Sequence, residues 1–258
     1  MTTLITGASK GIGYSLAHEF ARHGHDLVLT ARDEQRLHAL AESLRDKHCV
    51  EVDIIAMDLS GAEGAQRLIE EVASRKHAIE CLINNAGFGY LGDYQNMSSE
   101  CLSQLLTLNI NTLSELTRHY AKQFVENKKG KIMQVASVAA FQPGPGMAAY
   151  YASKAYVVSM SQALAYELKD TGVHISILCP GATESDFHKT AASFNKGREA
   201  PHYAGVMSAE KVATMAYNGL QKNKLFVIPG LLNKVLTYSS SVLPTALATR
   251  VAALFNSK

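Results

Sequence analysis

Cysteine is scarce and scattered in this sequence. Cys49, Cys81, Cys101 and Cys179 are far apart and form no C-x-x-C pair, which argues against a zinc staple and against thioredoxin-like chemistry. Cys81 and Cys179 fall inside apolar runs, where free buried thiols of a reducing compartment are the expectation. Charge of one sign is also lacking. The formal net charge is +2, no run of Lys and Arg exceeds two, and aromatics do not alternate with cations. That leaves no electrostatic footprint for nucleic acid. Long apolar runs are missing too. The uncharged stretch from Val235 to Thr249 is fifteen residues and contains Pro244, whereas a membrane-spanning helix needs about 20. His23 and His25 sit beside Asp26 at a helix-to-strand turn, with no further ligand at the spacing of a known metal site, so no metal is expected. Gly7 of a glycine turn leaves little room for a secretory signal before the first strand, so the expected location is cytoplasmic.

What is present is a regular alternation. The runs TTLIT, HDLVLTAR, VEVDIIAMD, IECLINNAG, GKIMQVAS, VHISILCPG and KLFVIPG read as strands. Between them lie amphipathic segments such as DEQRLHALAESLRDKH, which places Leu37, Leu40, Ala41 and Leu44 on one helical face. Most strand runs are continuously apolar, as suits strands covered on both faces. The pattern predicts an α/β fold: one doubly wound, Rossmann-type domain over residues 1–258, with a seven-stranded parallel sheet and helices on both faces. Residues 182–207 read as irregular and polar, and residues 230–258 as an apolar extension.

TGASKGIG joins the first strand to the first helix, spacing Gly7, Gly11 and Gly13 as G-x-x-x-G-x-G around Ser9, Lys10 and Ile12. It lacks the G-K-[ST] ending of a P-loop. Glycines at such a junction let backbone approach a pyrophosphate, and the helix start offers unpaired N–H groups and a positive dipole end. The second strand ends Thr30-Ala31-Arg32 with no carboxylate for a ribose 2′-hydroxyl. Arg32 and Lys10 together favour a 2′-phosphate, hence NADP, with Asp33 as a competing charge.

AAYYASKAYVV places Tyr150 and Tyr151 four and three residues ahead of Lys154. At 3.6 residues per turn either tyrosine shares a face with the lysine, so helix geometry does not choose between them. TGASKGIG, the NNAG of Asn84 to Gly87, Ser137, Tyr150 with Lys154, and Pro180-Gly181 together resemble the short-chain dehydrogenase/reductase superfamily, over residues 3 to about 187.

That resemblance implies a catalytic set. Tyr-x-x-x-Lys spacing selects Tyr150, and Ser137, thirteen residues earlier at the end of the fifth strand, agrees with it. Tyr150 would carry the proton. Lys154 would lower the tyrosine pKa from its usual value of about 10 and hold the nicotinamide ribose. Ser137 would donate to the substrate oxygen. Asn109, with Asn111 as its close competitor, would hold a relay water. Asp58 and Leu59 match the adenine-contacting pair, Asn85 and Ala86 the ribose-flanking turn, and Pro180, Gly181 and Thr183 the nicotinamide turn. Ser185 stands where the family often has threonine.

The expected activity is NADP(H)-dependent interconversion of a ketone and a secondary alcohol. The expected assembly is a homodimer or homotetramer, with a small-molecule carbonyl or alcohol as the partner. Residues 182–207 correspond to a substrate lid. Phe187, Phe194 and Tyr203, with Phe88, Tyr90, Phe141 and Met147, suggest an apolar pocket for a hydrophobic ketone or oxo-acyl group. The C-terminal extension reads, in descending order, as pocket cover, subunit contact or lipid-touching surface element. Two rivals stand beside the reductase: a dinucleotide-binding redox sensor that acts through a partner protein, and an epimerase or dehydratase on the same scaffold.

Overall fold

The computed structural model describes residues 1–195, 206–240 and 245–256; Tyr203, Pro244 and the middle of the expected lid lie outside them. β1 (Thr2–Thr6), α1 (Gly11–Arg22), β2 (Asp26–Ala31), α2 (Glu34–His48), β3 (Val52–Ala56), α3 (Gly64–Ser74) and β4 (Ile79–Asn84) form the first half. The second half contains α4 (Ser99–Leu106), α5 (Leu113–Glu126), β5 (Gly130–Val135), α6 (Ala148–Glu167), β6 (Val173–Leu178), α7 (Phe187–Ser193), α8 (Ala209–Gln221) and β7 (Phe226–Val227). Two further helices follow, α9 (Leu231–Ser240) and α10 (Thr245–Asn256). Among the described residues no helix is long and apolar enough to cross a membrane.

The seven strands form one parallel sheet in the order β3-β2-β1-β4-β5-β6-β7. The order reverses between β1 and β4, and in open α/β sheets ligands bind in the crevice beyond the strand C-termini at such a switch point. Every sequence motif singled out near a strand emerges at that edge: Gly7 after β1, Arg32 after β2, Asp58 after β3, Asn85 after β4, Ser137 after β5 and Pro180 after β6.

Two core layers sandwich the sheet. One packs α1, α2 and α8 through Leu16, Phe20, Leu37, Leu44, Val212 and Leu220. The other packs α3 and α5 through Leu68, Val72, Leu116, Tyr120 and Phe124. A buried polar set crosses the second layer: the Asn84 amide donates to Thr117 Oγ1 (3.0 Å) and Gln134 Oε1 (3.1 Å), tying β4, α5 and β5 together. Cys81 and Cys179 are buried free thiols, which matches the reading from their apolar surroundings.

Two segments differ from the sequence reading. The stretch after Ala182, read as irregular, contains α7; its apolar Phe187, Ala191 and Ala192 recur at helical spacing and turn inward. Asp58, read as the last residue of the third strand, lies beyond it, since β3 runs only from Val52 to Ala56.

Candidate active site

The glycine turn is dictated by space. Gly7 (φ +69) and Gly11 (φ +59) have left-handed backbones. Gly13 has no room for a side chain: a Cβ there would collide with the Gly7 carbonyl and the Asn85 amide. The Asn85 amide donates to the carbonyls of Thr6 (2.9 Å) and Gly7 (3.0 Å), while the backbone N–H groups of Asn85 and Ala86 donate to Thr6 Oγ1 (both 3.0 Å). The β1 and β4 turns are thus laced into one floor. Lys10 is the N-cap residue of α1, and its side chain makes no cap bond. The N-cap side chain therefore leaves the N–H groups of the first helical turn without a cap, and such free donors at a helix N-terminus fit a dinucleotide pyrophosphate. Ser9 and Ile12 are half-buried within this turn, and the Ser185 side chain lies over Gly11.

The strand ends beside the cradle carry charge. Arg32 is exposed. Asp33 is already engaged: it caps α2 by accepting from the Arg36 N–H (3.0 Å) and pairs with the Arg36 side chain (3.2 Å). Lys10 is exposed and donates to Thr190 Oγ1 (3.4 Å). Asp58 is held below the usual carboxylate range; partial burial opposes this, but the Ser60 N–H and hydroxyl and the Arg32 charge outweigh it. The Leu59 side chain is core rather than crevice, so Asp58 is the member of the pair that faces solvent.

Around α6 the candidate catalytic side chains converge. Lys154 is 4% exposed, and its Nζ donates to the Val135 carbonyl (2.7 Å). It lies 5.8 Å from the centre of the Tyr150 ring. Burial pushes the Lys154 ammonium down to about 8. Tyr150 packs among Leu91, Ala139, Met147, Ala191 and Ala192, with the Phe187 ring 5.0 Å away. Tyr151 packs at the edge of the same cluster, its ring 6.2 Å from that of Tyr150 and covering Gly144. The two tyrosines that helix geometry left equivalent thus differ in burial: Tyr150 is a buried member of the cluster, and Tyr151 is half-buried at its edge.

Asn109 is fully buried and Asn111 exposed. Asn109 lies in a π-helical turn, Thr107–Thr112, between α4 and α5; such turns break the regular i→i−4 ladder and recur at functional sites. Its side chain accepts from the Phe88 N–H (3.1 Å) and donates to the Phe88 carbonyl (3.0 Å) and Ser153 Oγ (3.0 Å). Ser153 in turn donates to the Tyr150 carbonyl (2.7 Å). Gly87 keeps this corner open: a Cβ there would lie 3.0 Å from Asn109 Oδ1 and 3.5 Å from Lys154 Nζ. Ser153 carried no sequence signal of its own, although it lies one helical turn from Tyr150 and beside Lys154.

Ser137 caps a 3-10 turn, Val138–Phe141, accepting from the Ala139 N–H (3.1 Å) and donating over a long 3.4 Å to the Pro180 carbonyl. A hydroxyl so loosely committed can rotate toward another acceptor. Cys179, near Lys154, stays a neutral thiol because burial pushes it up to about 12. Thr183 donates to the Gly181 carbonyl (3.0 Å) and pairs with Met207, closing the base of the 182–207 segment.

The walls beyond Tyr150 are apolar. Backbone bonds from Leu91 to Ala191 (3.1 Å) and from Gly92 to Gly146 (2.8 Å) hold α7 and two loops together. Met147 and Phe187 lie over Gly89, and Phe88 faces Phe194 at 5.4 Å. Two aromatics expected in the pocket are placed elsewhere. Phe141 packs with Phe226 in a core cluster, and Tyr90 is buried against Cys101 and Leu105. Among the described residues no group of three or more His, Cys, Asp or Glu side chains is placed to hold a metal ion.

Residues 1–196 match the family model of the short chain dehydrogenases. The chain is 32% identical over 248 residues to the 11-beta-hydroxysteroid dehydrogenase-like 4A of Arabidopsis thaliana, covering 96% of this chain and 82% of that protein. Among solved structures it resembles a short-chain dehydrogenase from Sphingobium yanoikuyae in complex with NADPH (36% identity, TM-score 0.82, 95% and 97% of the two chains). It also resembles a bulky-bulky ketone specific alcohol dehydrogenase from Comamonas testosteroni (33% identity, TM-score 0.77, 95% of each chain). With the switch-point crevice, the glycine floor and this degree of likeness, the chain belongs to the short-chain dehydrogenase family.

Proposed function

We propose that this oxidoreductase interconverts a bulky hydrophobic ketone and its secondary alcohol, using NADP(H) in preference to NAD(H). The observation that carries the chemistry is a buried lysine 5.8 Å from the Tyr150 ring on the same helix. The bound dinucleotide supplies the hydride. Tyr150 gives its phenolic proton to the carbonyl oxygen, and the Lys154 cation favours the phenolate that remains. Ser137 turns its hydroxyl from Pro180 toward the same oxygen and stabilises the charge that develops there. Asn109, braced by Phe88 and Ser153, fixes the corner behind Lys154 through which a water chain resupplies the proton.

Cofactor preference rests on Arg32. It stands exposed at the β2 end, while the neighbouring carboxylate of Asp33 is spent on capping α2. Gly7, Ser9, Gly11, Ile12 and Gly13 would form the pyrophosphate cradle, Lys10 and Arg32 would hold the 2′-phosphate, Asp58, Asn85 and Ala86 would border the adenosine, and Pro180, Gly181 and Thr183 would border the nicotinamide. Substrate class rests on the Leu91, Met147, Phe187 and Ala191 walls, and the similarity to a hydroxysteroid dehydrogenase-like protein and to a bulky-bulky ketone specific alcohol dehydrogenase points the same way. The protein is taken to work as a homodimer or homotetramer in the cytoplasm. A panel of ketones of graded size, assayed with NADPH and with NADH, tests the reading. Turnover rising with apolar bulk and favouring NADPH supports it; no turnover of any ketone overturns it.

A further inference from the structure

α9 lies outside the residues matched by the family model, yet one of its side chains reaches the nicotinamide turn. Two polar side chains of the helix turn inward. Asn233 and Thr237 face the body, whereas Leu231, Leu232, Val235 and Leu236 are exposed. The Asn233 amide donates to the Pro229 carbonyl at 2.6 Å. The same carboxamide fills the space beside Gly181, where a Cβ would meet its nitrogen and its oxygen at 2.5 Å. It also borders Gly230, whose backbone is left-handed (φ +90). Gly181 follows Pro180, the residue whose carbonyl receives the Ser137 hydroxyl and the Val138 N–H (3.0 Å). α9 further packs against the 3-10 turn that Ser137 caps.

We propose that Asn233 is a positioning residue for the reaction. Its carboxamide clamps the Pro180–Gly181 turn between β6 and the Pro229–Gly230 turn. It thereby sets both where the nicotinamide end of the cofactor rests and how the Pro180 carbonyl holds Ser137. Gly181 is glycine because this amide occupies its side-chain space. The inference rests on the reductase reading for its kinetic consequence, but its effect on cofactor binding does not need turnover.

The test compares Asn233→Ala with a control on the exposed side of the same helix, Leu232→Ala. NADPH binding is followed by nicotinamide fluorescence, and kcat and KM are measured with the best ketone of the panel. Asn233→Ala is expected to weaken NADPH binding several-fold and to lower kcat by about tenfold or more, a scale set by the sensitivity of near-attack geometry. The ketone KM should change little, and Leu232→Ala should match the parent protein in every measurement. Asn233→Asp, which keeps the shape but loses the donor to Pro229, should resemble Asn233→Ala. An Asn233→Ala protein that binds NADPH within twofold of the parent overturns the proposal, as does an equal loss in Leu232→Ala. If the parent reduces no ketone, the substrate reading fails while the binding comparison still decides the role of Asn233.

Discussion

The Lys154 ammonium lies 5.8 Å from the centre of the Tyr150 ring, four residues along one face of α6, and it is sealed beneath the crevice by burial. Tyr151, one residue away, covers Gly144 instead. Tyr150→Phe should therefore cut ketone reduction by about a thousandfold or more, within the range of a lost general acid plus its charge partner. NADPH binding should stay within a few-fold of the parent. Tyr151→Phe should retain reduction within about fivefold, since it leaves the proton donor in place. Steady-state kinetics with fluorescence titration checks both; greater damage from Tyr151→Phe refutes the assignment.

Lys154 sets a pH limit. Its ammonium is pushed down to about 8 by burial, so the cation is present through neutral pH and is lost as pH rises past that value. The rate of reduction should hold from about pH 6 to 7 and fall above about 8, in line with loss of the charged form. Lys154→Arg keeps a cation that does not titrate in this range. In that variant the residual rate, whatever its size, should lack the alkaline fall. A matching fall in both proteins would place the titration elsewhere.

The proposed cofactor preference rests on Arg32. Arg32→Glu puts a carboxylate opposite a 2′-phosphate, so the NADPH KM should rise at least about tenfold while the NADH KM changes little, as for a broken charge-assisted contact. Asp33→Asn should leave the ratio near its parent value, because Asp33 already serves α2. Measuring kcat/KM for both cofactors checks this.

Gly13 and Gly24 separate two uses of glycine. Gly13→Ala collides with backbone and with Asn85 in the cofactor floor, so it should cost about 1–3 kcal/mol of stability and abolish NADPH binding. Gly24 has a left-handed backbone (φ +76) but open space around it, so Gly24→Ala should cost about 1 kcal/mol from strain and leave cofactor affinity unchanged. Urea unfolding and NADPH titration of the two variants check the contrast.

His25 gives stability a pH slope of its own. Burial holds its imidazole down to about 4, below the ordinary 6.5; Thr3 Oγ1 lies 2.9 Å from Nδ1. The unfolded chain takes up the proton first, so stability is full above about 6.5 and is lost as pH falls from there toward 4. The urea midpoint of the parent should drop across this window by more than that of His25→Gln.

Much of this site was legible because its chemistry is local in sequence. The strand-to-helix junction places Gly7, Gly11 and Gly13 together, and alternation predicts the parallel strands whose ends carry Arg32, Asn85, Ser137 and Pro180. What was not legible depends on contacts between distant segments. Helix periodicity left Tyr150 and Tyr151 equivalent; the loop carrying Gly144 and the helix α7 carrying Phe187 distinguish them. Asn109 and Asn111 differ only in which faces inward at a π-turn, which intrinsic preference does not encode. Asp33 reads as a rival charge in the sequence, but in the fold its carboxylate accepts from the Arg36 N–H at the start of α2. Asn233 sits in a segment read as an apolar extension with no site residue, and the partner that gives it meaning is Gly181. Phe141 and Tyr90 read as pocket aromatics, but an aromatic next to a site packs equally well into the core.

The most direct measurement is reduction of a bulky ketone with NADPH deuterated at C4, prepared separately on each face of the ring. One of the two cofactors should deliver its deuterium to the carbinol carbon of the alcohol, with one NADP+ formed per alcohol. An alcohol without label from either cofactor, or product formed with no NADPH consumed, would contradict hydride transfer at this site.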